Sequence, residues 1–154
     1  MDITRKKKKE GLYLRCRESV PWSAREDLTA VAYDGKMWVI GGLSDGGRTN
    51  DVWSSTDGIT WTVETSSASW GARADEATVV NDGKMWVLGG LDDSGPLNDV
   101  WSSTDGATWT EELSPANWDS RYEHASVEYN DQIWVTGGNS NSGALSDVWH
   151  SLEE

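Results

Sequence analysis

The sequence predicts an all-β chain made of repeated four-stranded antiparallel sheets. Three observations predict it. One phrase is written three times at a spacing of 48 residues: DGKMWVIGG from Asp34, DGKMWVLGG from Asp82 and NDQIWVTGG from Asn130. All 11 tryptophans obey the same period, as Trp22/Trp70/Trp118, Trp38/Trp86/Trp134, Trp53/Trp101/Trp149 and Trp61/Trp109. Between the tryptophans lie short alternating stretches broken by Asp-Gly turns, with 16 glycines and no phenylalanine in the chain. Such a diet suits strands joined by tight turns, and a period near 50 signals an array whose units cannot bury their own faces alone.

Each element of the repeat has its own reason. The first strand is LTAVAY (28–33), EATVVN (76–81) and HASVEY (124–129). A two-residue Asp-Gly follows at 34–35 and 82–83, the strongest short hairpin signal; the third copy has Asn130-Asp131, a weaker version. The second strand, KMWVIGG in the first copy, is apolar on both faces, with Met37 and Val39 on one and Trp38 and Ile40 on the other. Both faces therefore need a cover. The Gly pair is expected to end this strand and to allow close backbone approach. The third strand is DVWSST at 51–56 and 99–104 and DVWHS at 147–151; Asp57-Gly58 and Asp105-Gly106 then turn into a fourth strand, ITWTVE or ATWTEE. A four-stranded sheet covered on both faces by copies of itself is the blade of a β-propeller. A stacked solenoid is the other array considered, and four turn-punctuated strands in 48 residues favour the propeller.

The Arg lead-in, the apolar-Trp-Val-x-Gly-Gly strand, the Asn-Asp-Val-Trp strand and the Asp-Gly-x-Thr-Trp strand together resemble kelch repeats of the Trp-rich bacterial kind. The resemblance covers residues 22–151. It departs three residues after the Arg, where kelch repeats often carry His and this chain has Leu28, Glu76 and His124.

These readings divide the chain into a basic, disordered tail (1–10) and a half-propeller (11–154). Within the latter, 22–69 is blade 1, 70–117 is blade 2, and 118–154 is blade 3 without its fourth strand. GLYLRCRE (11–18) stands where a fourth strand would stand, with Tyr13 in the Trp61 place. The resemblance implies closure of one blade by strands from both chain ends. Three blades alone leave apolar faces open, an aggregation liability. The expected partner is therefore a second copy, in a homodimer completing a six-bladed ring; a fragment of a longer propeller is the alternative.

The net charge of −13 is uneven. Residues 1–17 carry +5 and the rest −18, a body that should repel nucleic acid and anionic membrane. Cys16 is alone, so no internal disulfide and no cysteine-based metal site is expected. No signal peptide or membrane-spanning stretch is written, which makes the cytoplasm the default compartment. Neither metal nor cofactor is expected.

The candidate ligand-binding residues are Arg25, Arg73, Arg121, Glu76, Tyr122 and His124. The arginines recur once per repeat, and their planar donor forks suit a carboxylate, a phosphate or an acidic peptide. Their structural alternative is a pairing with a repeat-encoded carboxylate or a cap on carbonyls. The segments LSDGGRTN (43–50), LDDSGPLN (91–98) and NSNSGALS (139–146) differ among otherwise similar repeats and read as loops of a binding face. The strict register of the tryptophans reads as core. The leading function is a non-catalytic module recognising a peptide or glycan through one propeller face. The enzymatic alternative is a sialidase-like or mutarotase-like sugar enzyme, with Glu76, Tyr122, Glu123 or His124 in acid–base roles.

Overall fold

The computed structural model describes residues 20–152. The basic tail, Cys16 and the expected strand at 11–18 lie outside the described residues. Within them the chain is all-β, with antiparallel pairing throughout and no helix. Among the described residues no helix is long and apolar enough to cross a membrane.

The first sheet pairs Thr29–Tyr33, Lys36–Ile40, Val52–Ser55 and Thr62–Thr65 in simple sequence order. The second repeats that order with Ala77–Asn81, Lys84–Asp92, Gly95–Ser103 and Thr110–Leu113. The third has Ala125–Tyr129, Gln132–Thr136 and Val148–His150. First strands of adjoining sheets touch: Thr29 Oγ1 and Thr78 Oγ1 share a hydrogen bond of 2.5 Å, and Ser126 Oγ donates to the Thr78 carbonyl at 3.1 Å. The sheets therefore fan outward from their first strands, as propeller blades do.

The tight hairpins form in all three copies because both turn residues sit in the left-handed region: Asp34 and Gly35 at φ 48° and 69°, Asn130 and Asp131 at 53° and 60°. The indole N–H of Trp38, Trp86 and Trp134 donates to the carbonyl five residues back, at 2.9, 3.0 and 3.1 Å. Each wide tryptophan is thus held against its own hairpin.

Two expectations about strand ends need correction. In the second blade the Gly pair does not end the strand. The ladder runs on through Asp92, with a register shift between Leu97 and Val100 absorbing the irregularity. Gly89 and Gly90, at φ 51° and 105°, re-aim the chain without breaking the pairing. The fourth strand also begins later than expected, at Thr62 and Thr110. The residues before it are curled by a carboxylate: Asp57 Oδ1 accepts from the amides of Ile59 and Thr60 at 2.8 and 2.7 Å, and Asp105 does the same for Ala107 and Thr108.

The core consists of two interblade layers. One joins Trp38, Ile40 and Val52 of the first blade to Met85 and Val87 of the second, with Trp70 and Trp109 buried in the same cluster. The other joins Val79, Leu88 and Val100 of the second blade to Ile133 and Val135 of the third.

Candidate functional site

The segments read as binding-face loops are themselves hairpins. Leu43–Ser44 pairs with Gly47–Arg48, and Asn139–Ser140 with Gly143–Ala144; 91–98 continues the second blade's own ladder. They stand at the same end of the blades as the arginine segments. Arg25–Glu26 pairs with Leu43–Ser44, and the equivalent bridges are Ala74 to Leu91 and Tyr122 to Asn139. Further bridges, Thr49 to Arg73 and Leu97 to Arg121, tie each hairpin to the next blade.

The three arginines make one contact set three times. Arg73 Nη1 and Nη2 hold Asp99 in a fork at 2.7 and 2.8 Å, Nη1 also donates to the Gly89 carbonyl at 2.9 Å, and Nε to Gly71 at 3.1 Å. Arg121 does the same with Asp147, Gly137 and Asp119. Arg25 does it with Asp51, Gly41 and Ser23, adding Thr49 Oγ1 at 3.0 Å. The indoles of Trp53, Trp101 and Trp149 complete the three carboxylates at 2.7, 2.8 and 2.7 Å. Burial pushes the Asp51 and Asp99 carboxyls up, but the arginine and tryptophan hydrogen bonds outweigh it and leave both below the usual range. At Asp147 the Arg121 hydrogen bond leads, and the carboxyl falls far lower. Arg73 and Arg121 are only 2% and 0% exposed. The guanidinium groups are directed into their own blades, where they fasten the first-strand lead-in to the third strand.

Glu76 and His124 occupy one repeat position in successive blades, the position Leu28 holds in the first. Both are buried, and neither side chain has a hydrogen-bond partner among the described residues. Glu76 lies against Gly41 of the preceding blade and Gly90 of its own; His124 lies against Gly89 and Gly138. A Cβ at Gly41 would collide with Glu76, and one at Gly89 would press on the Arg121 carbonyl and crowd His124, so this is the close approach that the Gly pairs serve. Burial raises the Glu76 pKa to about 8 and lowers that of His124 to about 4, with the Arg121 charge adding to the latter. Tyr122 joins the rim through its backbone, exchanging hydrogen bonds with Asn139 at 3.0 and 2.8 Å. The structure thus brings Glu76 and His124 to equivalent interblade seams, without a hydrogen bond from either to a candidate acid–base partner.

A further set went unrecognised in the sequence, where only Glu123 was singled out, as an acid–base candidate. Asp27, Asp75 and Glu123 each stand two residues after the arginine, all in the left-handed region at φ 54°, 58° and 54°. Asp75 N–H donates to the Asp27 carbonyl at 3.1 Å, and Glu123 N–H to the Asp75 carbonyl at 3.0 Å. The Asp75 carboxyl is pushed up, first by burial and then by the charges of Asp27 and Glu123, against a lowering by Arg48. An acidic residue at the same place in every repeat was the available signal. Along the Arg25 lead-in a shallow depression is lined by Ala24, Arg25, Glu26, Leu43, Ser44 and Asp45. Among the described residues no group of three His, Cys, Asp or Glu side chains is placed to hold a metal ion.

Residues 24–54, from the Arg25 lead-in through the third strand, match the family model described as the kelch motif. The first blade carries a kelch motif. The matched span is one repeat's worth of first three strands, and it recurs one and two periods later with its Arg–Asp–Trp contacts intact. The motif points to a protein-interaction propeller module. No curated protein matches the chain.

Proposed function

We propose that this kelch-repeat chain is a non-catalytic interaction module that takes a basic peptide segment on the acidic rim at the hairpin end of its blades. One observation supports the reading above the others. The repeated arginines and their aspartates are consumed inside each blade, whereas Asp27, Asp75 and Glu123 stand as a run of like charges. Glu123 Oε2 accepts from Asn139 Nδ2 at 2.6 Å, so Asp27 and Asp75, held in left-handed backbone with no such bond to their carboxylates among the described residues, are the telling members. The arginines, neutralised by their own aspartates, argue for a cationic ligand rather than the acidic one their number suggests. No observation favours the sugar-enzyme reading.

The test is calorimetric titration with a lysine-rich decapeptide, against a glutamate-rich decapeptide and sialyllactose as control probes. The lysine peptide should bind, weaken as salt rises, and lose at least tenfold in affinity in an Asp27→Asn/Asp75→Asn/Glu123→Gln variant that melts normally. Equal binding of the acidic peptide or the glycan, or undiminished binding by the variant, overturns the reading.

A further inference from the structure

The chain makes one interface twice. At the first seam, Val31, Trp38 and Val52 meet Met85 and Val87; at the second, Val79, Leu88 and Val100 meet Ile133 and Val135. The backbone contacts also repeat. Gly42 N–H donates to the Arg73 carbonyl and Arg73 N–H to Thr49; one period on, Gly90 donates to Arg121 and Arg121 to Leu97. Each seam has a donor face, on the blade before, and an acceptor face, on the blade after.

Among the described residues, one further half of each kind carries nothing on it. On the third blade's donor face Val127, Tyr129 and Val148 are 57%, 62% and 60% exposed, where Val79 and Val100 of the second blade are 6% and 4%. On the first blade's acceptor face Met37 is 42% exposed, where Met85 is 0%. Glycines give the same account. Glu76 crowds Gly41 and His124 crowds Gly89, while over Gly137 the nearest atom is the Leu145 carbonyl at 3.7 Å. The residue whose place is over that glycine is Leu28, which stands 37% exposed at the other end of the chain.

We propose that a second copy of this chain docks head to tail, the third blade of one protomer on the first blade of the other. The partner must match the open face position by position, and the chain's own first blade does so. Leu28 fills the space over Gly137. The Tyr129 hydroxyl reaches the Gly35 carbonyl as Tyr33 reaches that of Gly83 at 2.6 Å. Gly138 N–H meets the Arg25 carbonyl, and Arg25 N–H that of Leu145. The interface is heterologous, so it ends in a ring or in a filament. Propellers close with about 4–8 blades. Six is the only multiple of three in that range, so two protomers close the ring through two such seams. This inference rests on the end faces and is independent of the acidic rim.

Light scattering on a sizing column, with the full chain over a concentration series, tests it. The expected mass is twice the 17.0 kDa of one chain. Val148→Arg on the donor face and Met37→Arg on the acceptor face should each shift the population to single chains. Both side chains are exposed within one protomer, so the fold itself does not need them; Val127→Lys and the thermal melt guard against a misfolded variant. Mixing Val148→Arg with Met37→Arg leaves one seam intact and should restore a one-to-one pair, which a symmetric face-to-face dimer would not do. Single chains at every concentration, a mass other than two chains, association that survives the substitutions, or no recovery on mixing overturns the proposal.

Discussion

The second blade and the third are written in nearly the same residues and live in different surroundings. Val100 and Val148 hold one place in the repeat, yet the first is 4% exposed and the second 60%. Asp99 and Asp147 each take the same fork from an arginine, yet their side chains are 14% and 37% exposed. Repetition copies the contacts within a blade. It does not copy the burial, because half of each blade's burial is supplied by its neighbour. The middle blade is thus the only one whose two described faces are both covered, and energetic effects should be largest there.

The largest difference is expected at the arginines. Arg73→Ala strips the middle-blade Asp99 of its fork and leaves the Gly89 carbonyl without that donor. Breaking a buried pair in this way costs about 3–5 kcal/mol. In a single chain Arg121→Ala should cost only about 1–2 kcal/mol, because water reaches Asp147 and replaces part of what is lost. Urea denaturation of the two variants checks the ordering. Equal losses would mean that the third blade is as well covered as the second, as it would be in the closed ring.

Nearly as large is a pH effect that also separates the blades. Glu76 has its pKa raised by burial to about 8, against 4.5 unperturbed. The folded state therefore keeps a proton that the unfolded state has released, and stability falls as pH rises from 4.5 towards 8. His124, lowered from 6.5 to about 4, has the opposite sign: stability falls as pH drops from 6.5 towards 4. The two slopes oppose one another between pH 4.5 and 6.5 and flatten the profile there. Glu76→Gln should remove the alkaline loss, by as much as ~4 kcal/mol at pH 8, and expose the His124 slope alone. Melting temperature against pH, wild type beside the variant, reads both. A variant that still loses stability above pH 6.5 would show that Glu76 is not the group responsible.

A valine pair gives the next step down. Val100→Ala should cost about 2 kcal/mol, and Val148→Ala less than about 0.5 kcal/mol in a single chain. If the second copy docks, the Val148 effect should grow with protein concentration while the Val100 effect stays constant. Chemical denaturation at two concentrations makes that distinction.

Much of this was legible in the sequence, and the failures are specific. Alternation and Asp-Gly punctuation located the first three strands because those signals are local. The start of the fourth was misplaced because Asp57 and Asp105 hold two amides each beyond the turn, a contact that no alternation pattern records. The hairpins at 43–48 and 139–144 read as loops because each strand is only two residues long, too short for alternation, and the turn is held by the hydroxyl of Ser44 or Ser140. The arginines offered two readings, since a recurring Arg looks alike whether it faces a ligand or a carboxylate 26 residues on. Only the geometry shows the fork to Asp51, Asp99 and Asp147. The acids at 27, 75 and 123 were periodic and visible, yet nothing local marks them as neighbours. They become so through the interblade bonds between Asp27, Asp75 and Glu123.

The smallest expected effect lies at the third hairpin, where the repeat departs from its own rule. The first two copies put glycine at the second turn position; the third puts Asp131 there, at φ 60°. An L-residue in that region carries a steric cost that glycine avoids, and aspartate offsets part of it by local hydrogen bonding. Here the Asp131 N–H donates to Glu128 Oε1 at 2.9 Å, a bond that glycine would keep. Asp131→Gly should therefore stabilise the chain by about 0.5–1 kcal/mol, less what glycine's freer unfolded state takes back. The reverse change in the middle blade, Gly83→Asp, should destabilise by a similar amount, since Gly83 sits at φ 65° with open space around it. Two melting curves decide it. If Asp131→Gly is neutral or worse, the aspartate is contributing something beyond turn geometry, and the third blade's hairpin is then a different structure from the two it copies.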